Sequence, residues 1–435
     1  MAGNIIKNIG GVTKEYVAQL TNNASLLKGV KMKYSDQFAK DGAKVGNVLN
    51  VKYMDNPPIA RGAQVQINSV VERTIPITIL DVNQYQAAFD FTSADMALSI
   101  ESFNEKTNLK QTAQKMISEM EGDLANLMMM FPQQVGTLGT TPGTAAGAGM
   151  LMSTAPQIFT NADAMLTSMG ASDYNRTMAL TPLASGLSVS ALSGLQNPVD
   201  AISRQYREGR MGAKTLNFDF IRNTNLPTFT TGTRSQAGGT VLIGSQDGDS
   251  SIVMTGLGAN ATITKGEHFT VAAVRAVNPL NQKQQGFLQS FVVTADVLAD
   301  ANGNATVPVS PTITLSNPEF MVGSSMIKRY TTLPRNVNGT VDALPLANAT
   351  VTFSGAASTI GVFNVAYQED SIVATAVDLP EYEGQTLCHR EHLENGLAAR
   401  LWKQADIQGD RMICRFDSMV VFTMIRTQCG VVVWG

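Results

Sequence analysis

The stretch from Ser99 to Phe131 constrains the fold most, because its apolar residues recur every three or four positions. That spacing places them on one side of an α-helix for about six turns. Pro132 follows and ends the helix, because proline lacks a backbone N–H and disfavours helical geometry in the residue before it. The apolar residues are Leu109, Ala113, Met116, Met120, Leu124, Leu127 and Phe131. The spacing therefore predicts a helix about 40 Å long that lies across another layer with one side buried.

The remaining surface of this helix is predicted to face solvent, because charged residues occupy it. These residues are Lys110, Lys115, Glu119, Glu121 and Asp123. A long amphipathic helix usually has a structural role, so we interpret this helix as a structural element rather than as part of a functional site.

Few residues of the chain are charged, 15% against 44% that are hydrophobic. A polar but weakly charged surface repels its neighbours less than most, which favours a protein that packs against other subunits. The net charge of -3 argues against a dedicated nucleic-acid binder. Residues 1–61 are mildly basic, however, and this segment is interpreted either as a solvated face or as a contact for an acidic partner or nucleic acid.

Cysteine usage and hydropathy restrict the compartment. The three cysteines, Cys388, Cys414 and Cys429, have no short pairing pattern and are predicted to be free thiols in a reducing compartment. The first residues contain no continuous apolar segment, so no signal peptide is predicted. No apolar run approaches the ~18 residues of a membrane span.

The N-terminal third combines a short helix with extended β structure. Residues 12–28 are predicted to form an amphipathic helix anchored by Val12, Tyr16, Leu20 and Leu27. Alternating residues at 48–52 and 65–71 predict a long β-hairpin whose tip contains MDNPPIARGA, and strands are predicted at 74–80 and 86–92. A hairpin of this length does not stabilise itself, so it is expected to pack on a partner.

The centre of the chain changes character near Pro227. Before it, the glycine-rich stretch 133–151 predicts a loop, 157–169 a helix, 176–182 a strand, and 188–195 and 197–212 two short helices. Beyond it, short strands rich in Thr and Val predict a small inserted β-barrel or sandwich. These strands are predicted at 240–244, 251–256, 268–277, 288–297, 305–309 and 312–315.

The C-terminal part is predicted to hold a helix near 390–405 and strands at 418–425 and 430–434. On that helix His389 and His392 would share a face, and Cys388 or Glu391 could complete a metal site. The spacing matches no standard zinc pattern, and no nucleophile elbow or dinucleotide fingerprint occurs. His268, at the start of an apolar strand, is interpreted as a packed residue. No catalytic, cofactor-binding or metal site is therefore predicted, and a structural protein is favoured over an enzyme.

Three stretches resemble a known family. They are QYREGRMGAKTLNFDFIRNTNLPTFTTGT (205–233), KGEHFTVAAVRAVNPLNQKQQGFLQSFVVTAD (265–296) and GLAARLWKQADIQGDRMICRFDSMVVF (396–422). They resemble the major capsid proteins of short-tailed phages of the Salmonella lambdoid podovirus type, a branch of the Hong Kong 97-type fold that carries a telokin-like insertion domain. The Arg415-Phe416-Asp417 segment keeps the Arg-x-Asp of the family, but the Arg-Pro-Glu segment expected after it is absent.

The resemblance implies an α+β fold of the Hong Kong 97 type with a long spine helix, an extended hairpin loop, an axial domain and an inserted all-β barrel. It implies the following division: an N-terminal arm (1–44), the extended hairpin and peripheral strands (45–99), the spine helix (100–132), a first peripheral and axial part (133–227), the inserted barrel (228–335) and a C-terminal part (336–435).

The resemblance also implies partners. The chain would form hexamers and pentamers of an icosahedral shell around double-stranded DNA, together with scaffolding and portal proteins, in a virion made in the bacterial cytoplasm and without a membrane. Five lysines would face the interior, namely Lys28, Lys31, Lys33, Lys40 and Lys44. The hairpin tip that contacts another subunit would comprise Asp55, Pro57, Pro58 and Arg61.

Two alternatives remain at this point. One is a β-rich adhesin or receptor-binding protein that presents the 228–335 segment. The other is a metal-dependent hydrolase that uses the cluster from Cys388 to His392.

Overall fold

The chain divides into two compact units in the computed structural model. The first comprises Met1–Val51, Ile75–Leu127 and Ile372–Ile425, and the second Lys52–Thr74, Met128–Ser371 and Arg426–Gly435. The structure describes residues 13, 16, 18, 20, 24–34, 48–54, 72–78, 80, 83–92, 101–139, 155–192, 214–235, 238–316, 339–381, 387–392 and 397–434. Among these residues, no helix combines the length and the apolar character needed to cross a membrane.

The described elements are mainly strands. The strands are, in order, β1 Lys31–Tyr34, β2 Val48–Met54, β3 Glu72–Thr78, β4 Gln84–Thr92, β5 Gln133–Val135, β6 Arg176–Leu180, β7 Asp219–Arg222, β8 Thr228–Thr230, β9 Thr240–Ile243, β10 Asp249–Thr255, β11 Thr262–Ile263, β12 His268–Val277, β13 Gln284–Val293, β14 Val297–Leu298, β15 Ala305–Ile313, β16 Val351–Phe353, β17 Ile360–Gln368, β18 Ile372–Val377, β19 Leu387–His392, β20 Ala398–Asp406, β21 Arg411–Met424 and β22 Gly430–Trp434. The longer helices are α1 Glu101–Met128, α2 Ala155–Ser168 and α3 Pro182–Leu192. Short 3-10 turns span Leu27–Gly29, Glu369–Ser371 and Thr427–Cys429.

The first unit is built on one sheet in the order β1-β18-β21-β20-β19. The long strand β21 pairs with β4 along its first part and with β18 along its second part, so it is the centre of this sheet. All these pairs are antiparallel except that of β1 with β18.

Helix α1 is present where the apolar spacing predicts it. Ala113, Met116, Met120 and Leu124 are buried, whereas Leu127 is only partly buried. The Tyr16 hydroxyl lies 3.3 Å from the Met116 sulfur. The Tyr16 ring stacks on Phe416 of β21, with the ring centres 3.9 Å apart. The predicted apolar side of α1 is therefore the side that packs against the protein, as expected for a helix with 3.6 residues per turn.

Glu121 departs from the prediction, because it is buried rather than solvated, with 2% of its surface exposed. Its Oε1 accepts backbone N–H groups from Ser25 at 2.6 Å, Leu26 at 2.6 Å and Leu27 at 3.4 Å. These N–H groups precede and begin the short 3-10 turn, and the first N–H groups of a helical turn have no acceptor within the turn itself. The carboxylate thus holds the N-terminal segment on α1, a role that periodicity cannot reveal.

The helix predicted near 390–405 is wrong, because β19 and β20 form an antiparallel hairpin there. The segment is rich in Ala, Leu, Glu and Arg, which favour helix when considered alone. All residues from Leu397 to Leu401 are buried, however, as in a strand that is covered on both faces, and β20 gains a full ladder with β21. Pairing with the neighbouring strand outweighs intrinsic preference here.

The extended hairpin is represented by β2 and β3, which form a two-stranded sheet. Its predicted second strand at 65–71 lies outside the described residues, and the observed partner strand is Glu72–Thr78. The segment predicted as helix at 12–28 is helical at Thr13, Tyr16, Ala18 and Leu20, and continues as the short turn Leu27–Gly29.

The second unit contains a sheet in the order β5-β22-β17-β6-β7, with β8 pairing to the end of β17. The predicted helix at 157–169 and strand at 176–182 are present as α2 and β6. Apolar residues of α2, including Phe159 and Leu166, share a buried cluster with Met178 of β6 and Val431 of β22. The predicted helix at 188–195 begins earlier, at Pro182, where proline is tolerated in the first turn.

The same unit contains a six-stranded sheet in the order β16-β12-β13-β15-β10-β9. Its two end strands are joined, because Val241 N donates to Ala349 O at 2.9 Å and Val351 N donates to Gly239 O at 2.9 Å. The sheet is thereby closed into a barrel around a core that includes Phe269, Phe291 and Val307. Val341 and Val351 belong to this core, so the barrel draws on residues after the predicted end at 335.

Replacing Glu121 tests the buried carboxylate. We expect Glu121→Ala to lower the free energy of unfolding by about 2–4 kcal/mol, because the backbone N–H groups of Ser25 and Leu26 are then left without a charged acceptor inside the protein. The measurement is urea unfolding of the purified subunit. Glu119→Ala is the matched control, because Glu119 is exposed on the same helix. Equal unfolding free energies for the two variants would contradict the assignment.

Candidate assembly and partner-contact residues

The barrel connects to its parent sheet through two segments that run side by side. Residues 231–235 enter the barrel after β8, and residues 354–359 leave it before β17. Thr231 N donates to Thr359 O at 3.0 Å, Ser358 N donates to Gly232 O at 2.9 Å, and the Thr231 hydroxyl donates to Ala356 O at 2.7 Å. We call these two segments the stem.

A buried ion pair lies in the stem. Arg234 Nη1 is 2.8 Å from Glu267 Oε2, and both side chains are 1% exposed. Glu267 Oε1 accepts the N–H groups of Gly232 at 2.7 Å and Thr264 at 2.9 Å, and Arg234 Nη2 donates to Gly355 O at 2.6 Å. The pair therefore joins both stem segments to the turn that precedes β12.

The electrostatics of this pair follow from its burial. Burial raises the pKa of the Glu267 carboxyl, while Arg234 and the two backbone N–H donors oppose that rise. The guanidinium also lies over the Phe353 ring, 4.1 Å from its centre, a favourable cation–π geometry. Sequence reasoning missed both residues, because two charged residues 33 positions apart give no local signal.

His268 is packed, as the sequence suggested, with 2% of its surface exposed. Its Nε2 donates to Phe131 O at 2.7 Å, and its ring is 5.8 Å from that of Trp434. Burial lowers the pKa of His268 from 6.5 to about 4, so the ring is neutral at neutral pH. The hydrogen bond joins the first residue of β12 to the chain just after α1.

The residues that follow α1 also contact the base of the barrel. The backbone of Gly266 is in the left-handed region at φ +95°, and a Cβ there would lie 3.0 Å from Met129 Sδ and 3.3 Å from Met130 Cε. The three methionines Met128–Met130, interpreted as adaptable packing, are buried or partly buried. Gly430 likewise leaves room for the Phe131 ring.

The cluster from Cys388 to His392 lies on strand β19 rather than on a helix. Neighbouring residues of a strand point to opposite faces, so Cys388 and His389 do not share a face. His389 Nε2 is 3.5 Å from Glu391 Oε2, and His389 Nδ1 is 3.8 Å from Glu381 Oε1. No group of three metal-ligating side chains suited to a metal ion occurs in the part of the chain that the structure describes.

The cysteines are free thiols, as predicted. Cys414 and Cys429 are buried and Cys388 is partly exposed. Burial raises the pKa of the Cys429 thiol to about 11, which makes it a poor nucleophile.

The Arg-x-Asp segment of β21 carries a largely buried charged cluster. Asp417 is fully buried and binds two arginines, with Arg400 Nη2 at 2.7 Å from Oδ2 and Arg415 Nε at 2.6 Å from Oδ1. Trp402 lies beside them, with the two guanidinium carbons 5.4 Å and 5.9 Å from its ring centre.

The predicted partner contacts are only partly described. Lys28 and Lys31 are exposed, Lys33 lies in β1, and Lys40 and Lys44 lie outside the described residues. The four hairpin-tip residues also lie outside them, namely Asp55, Pro57, Pro58 and Arg61. Lys31 and Lys33 lie on β1, Lys28 lies in the turn before it, and the contact role of all the predicted residues stays a prediction.

Comparisons with known proteins give structural matches only. No family model matches the chain, and no curated protein matches it. A solved structure of Mycobacterium phage Che8 matches 95% of this chain and 90% of its own at 10% identity, with a TM-score of 0.43. The capsid structure of cyanophage P-SCSP1u matches 94% of this chain and 88% of its own at 9% identity, with a TM-score of 0.44. The coat protein I-domain of CUS-3 matches 27% of this chain and 96% of its own at 18% identity, with a TM-score of 0.18.

Acid should weaken the structure through His268. Between pH 6.5 and about 4 the unfolded chain takes up a proton at His268 that the folded chain does not. The free energy of unfolding should therefore decrease as the pH is lowered from 6.5 to about 4, by up to about 3 kcal/mol. His268→Gln keeps an N–H donor but cannot titrate, so its pH dependence should be flatter than that of the parent protein in urea unfolding. Parallel curves for the two proteins would refute the assignment.

Proposed function

We propose that this chain is a major capsid protein that self-assembles into the icosahedral shell around a double-stranded DNA phage genome. The observation that supports this most is the order of elements along the chain. An extended β2–β3 hairpin precedes the 28-residue helix α1, a closed barrel follows on its stem, and the final strands complete both sheets. This is the order that the sequence resemblance implies.

The finer assignments belong to the same proposal. The barrel corresponds to the telokin-like insertion of the Salmonella lambdoid podovirus type, α1 to the spine helix, and residues 1–44 to the N-terminal arm. The protein acts as structure rather than as an enzyme, in the virion, with scaffolding and portal proteins as partners. In the hydrolase alternative the two histidines share a helix face, and the strand geometry of β19 removes that arrangement.

Electron microscopy of the purified protein, alone and with its scaffolding partner, tests the function directly. Closed shells or rings of five and six subunits support the proposal. A subunit that stays a small monomer under both conditions would overturn it.

The hairpin tip provides a second test. We expect deletion of residues 55–62 to leave the subunit folded but to reduce closed shells, because the tip could then no longer reach a neighbouring subunit. A matched control replaces Asp55, Pro57, Pro58 and Arg61 by glycine and serine and so keeps the length while removing the side chains that would bind. Circular dichroism and shell yield are measured together. Normal shells from the deletion variant would exclude a gripping role for the tip.

The basic N-terminal segment should contribute nonspecific, salt-dependent DNA binding. We expect the triple change of Lys28, Lys31 and Lys33 to glutamine to reduce the slope of log affinity against log salt by about 0.9 for each phosphate that the variant no longer neutralises. The control changes Lys214, Lys265 and Lys283, which are exposed in the second unit. Binding of duplex DNA to the purified subunit is measured between low and moderate salt. An unchanged slope in the first variant would place the DNA-binding surface elsewhere.

A further inference from the structure

The turn between β12 and β13, residues 278–283, lies against the end of helix α2. Asn278 Nδ2 donates to Ser168 O at 2.7 Å, and Ser168 is the last residue of α2. The last four carbonyl groups of an α-helix have no N–H donor within the helix, and they carry the partial negative charge of its C-terminus. The Asn278 amide therefore satisfies a carbonyl that the helix itself leaves without a donor.

A second contact joins the β12–β13 turn to a glycine just after α2. Gly170 has a left-handed backbone at φ +78°, which commonly ends a helix, and a Cβ there would lie 3.1 Å from both Cγ and Cδ1 of Leu280. Leu280 packs on this glycine with one side and remains 66% exposed. The missing side chain at Gly170 thus lets the turn approach the helix closely.

Hydrogen bonds within the β12–β13 turn give it a fixed shape. Asn278 Oδ1 accepts from Leu280 N at 2.8 Å. The backbone of Asn278 donates to Lys283 O at 3.0 Å and accepts from Gln282 N at 2.8 Å. The side chain of Asn278 therefore has two roles, because its oxygen shapes the turn and its nitrogen binds α2. A turn of fixed shape transmits the position of α2 to the two strands that it joins.

The β12–β13 turn lies at the end of β12 that is farther from the stem. β12 has ten residues, His268–Val277, so its two ends are about 30 Å apart at ~3.3 Å per residue. The stem pair and the hydrogen bond from His268 to Phe131 O lie at the other end. Gln133 Nε2, which is 3.5 Å from Gln289 Oε1, also contacts the barrel on the stem side of the turn. A rotation of the barrel about the stem would move the turn most, so a contact there restricts this rotation more than an equal contact near the stem.

We propose that the β12–β13 turn is a latch that fixes the orientation of the barrel on its stem, with Asn278 as the positioning residue. When the latch is open, the barrel rotates about the stem while its own core stays folded, because that core is formed by residues such as Phe269, Phe291 and Val307. The latch is a property of the single subunit and does not depend on the proposed capsid function.

Spin labels on the barrel and beside α2 measure this orientation. The labels are attached to Leu346→Cys on the barrel and Tyr174→Cys after α2, two exposed positions, in a Cys388→Ser background that removes the partly exposed native thiol. Pulsed electron paramagnetic resonance should give one narrow distance for this labelled parent. Asn278→Asp should add a second distance or broaden the first. A broad distribution in the labelled parent itself would overturn the proposal, because the latch would then not hold the barrel.

The matched control adds the same charge elsewhere in the same turn. The carboxylate of Asn278→Asp can still accept from Leu280 N, but it cannot donate to Ser168 O and is repelled by the C-terminal end of α2. Asn281 Oδ1 accepts from Lys283 N at 2.9 Å, so Asn281→Asp preserves its hydrogen bond and should keep the narrow distance. A narrow distance in Asn278→Asp, or equal broadening in both aspartate variants, would overturn the proposal.

Two glycines provide a test that leaves Asn278 in place. Gly170 and Gly248 both have left-handed backbones, at φ +78° and +96°, so alanine causes comparable backbone strain at either position. A Cβ at Gly170 would meet Leu280, whereas no atom of the described residues lies within 4 Å of a Cβ at Gly248. Gly170→Ala should therefore broaden the distance distribution, and Gly248→Ala should leave it narrow. Broadening in both glycine variants, or in neither, would overturn the proposal.

Discussion

The buried pair of Arg234 and Glu267 is the interaction on which the second unit depends. Removing two charges from water is costly, and their attraction repays this only when the remaining donors and acceptors are also satisfied. Here the backbone provides part of them, because Gly232 and Thr264 donate to the carboxylate and Gly355 accepts from the guanidinium, whereas Arg234 Nε is buried without a hydrogen-bond partner among the described residues. The pair thereby fixes the entry and exit of the barrel against each other, and removing either partner would leave a buried charge in the stem.

Closure of the barrel explains why so small a stem is sufficient. A sheet with free edges would need neighbours to satisfy its outer N–H and C=O groups. Hydrogen bonds from β9 to residues 348–351 remove those edges, and the barrel buries its own apolar core. The stem is then free to be polar. Outside the stem, the hydrogen bond from His268 to Phe131 O also joins the barrel to the chain that follows α1.

The sequence predicts the structure correctly where the spacing of apolar residues agrees with the environment of the folded protein. The stripe of α1 and the limits of β12 are both predictable, because helical spacing and β-rich composition agree with the tertiary environment there. It fails at 390–405, where helix-forming residues are held in a ladder with β21, and at Glu121, whose partners lie more than 90 residues away. The stem pair of Arg234 and Glu267 exists only once segments 33 residues apart in sequence are brought together. Spacing along the chain therefore cannot indicate them.

Glu121 in the first unit and Glu267 in the second have the same structural role. Each is a buried carboxylate that accepts two or more backbone N–H groups from segments outside the regular ladders. Charged acceptors bind such donors more strongly than neutral ones do, and several donors on one carboxylate restrict the segment to a single path. Both carboxylates therefore fix a connecting segment in one position without enlarging the apolar core.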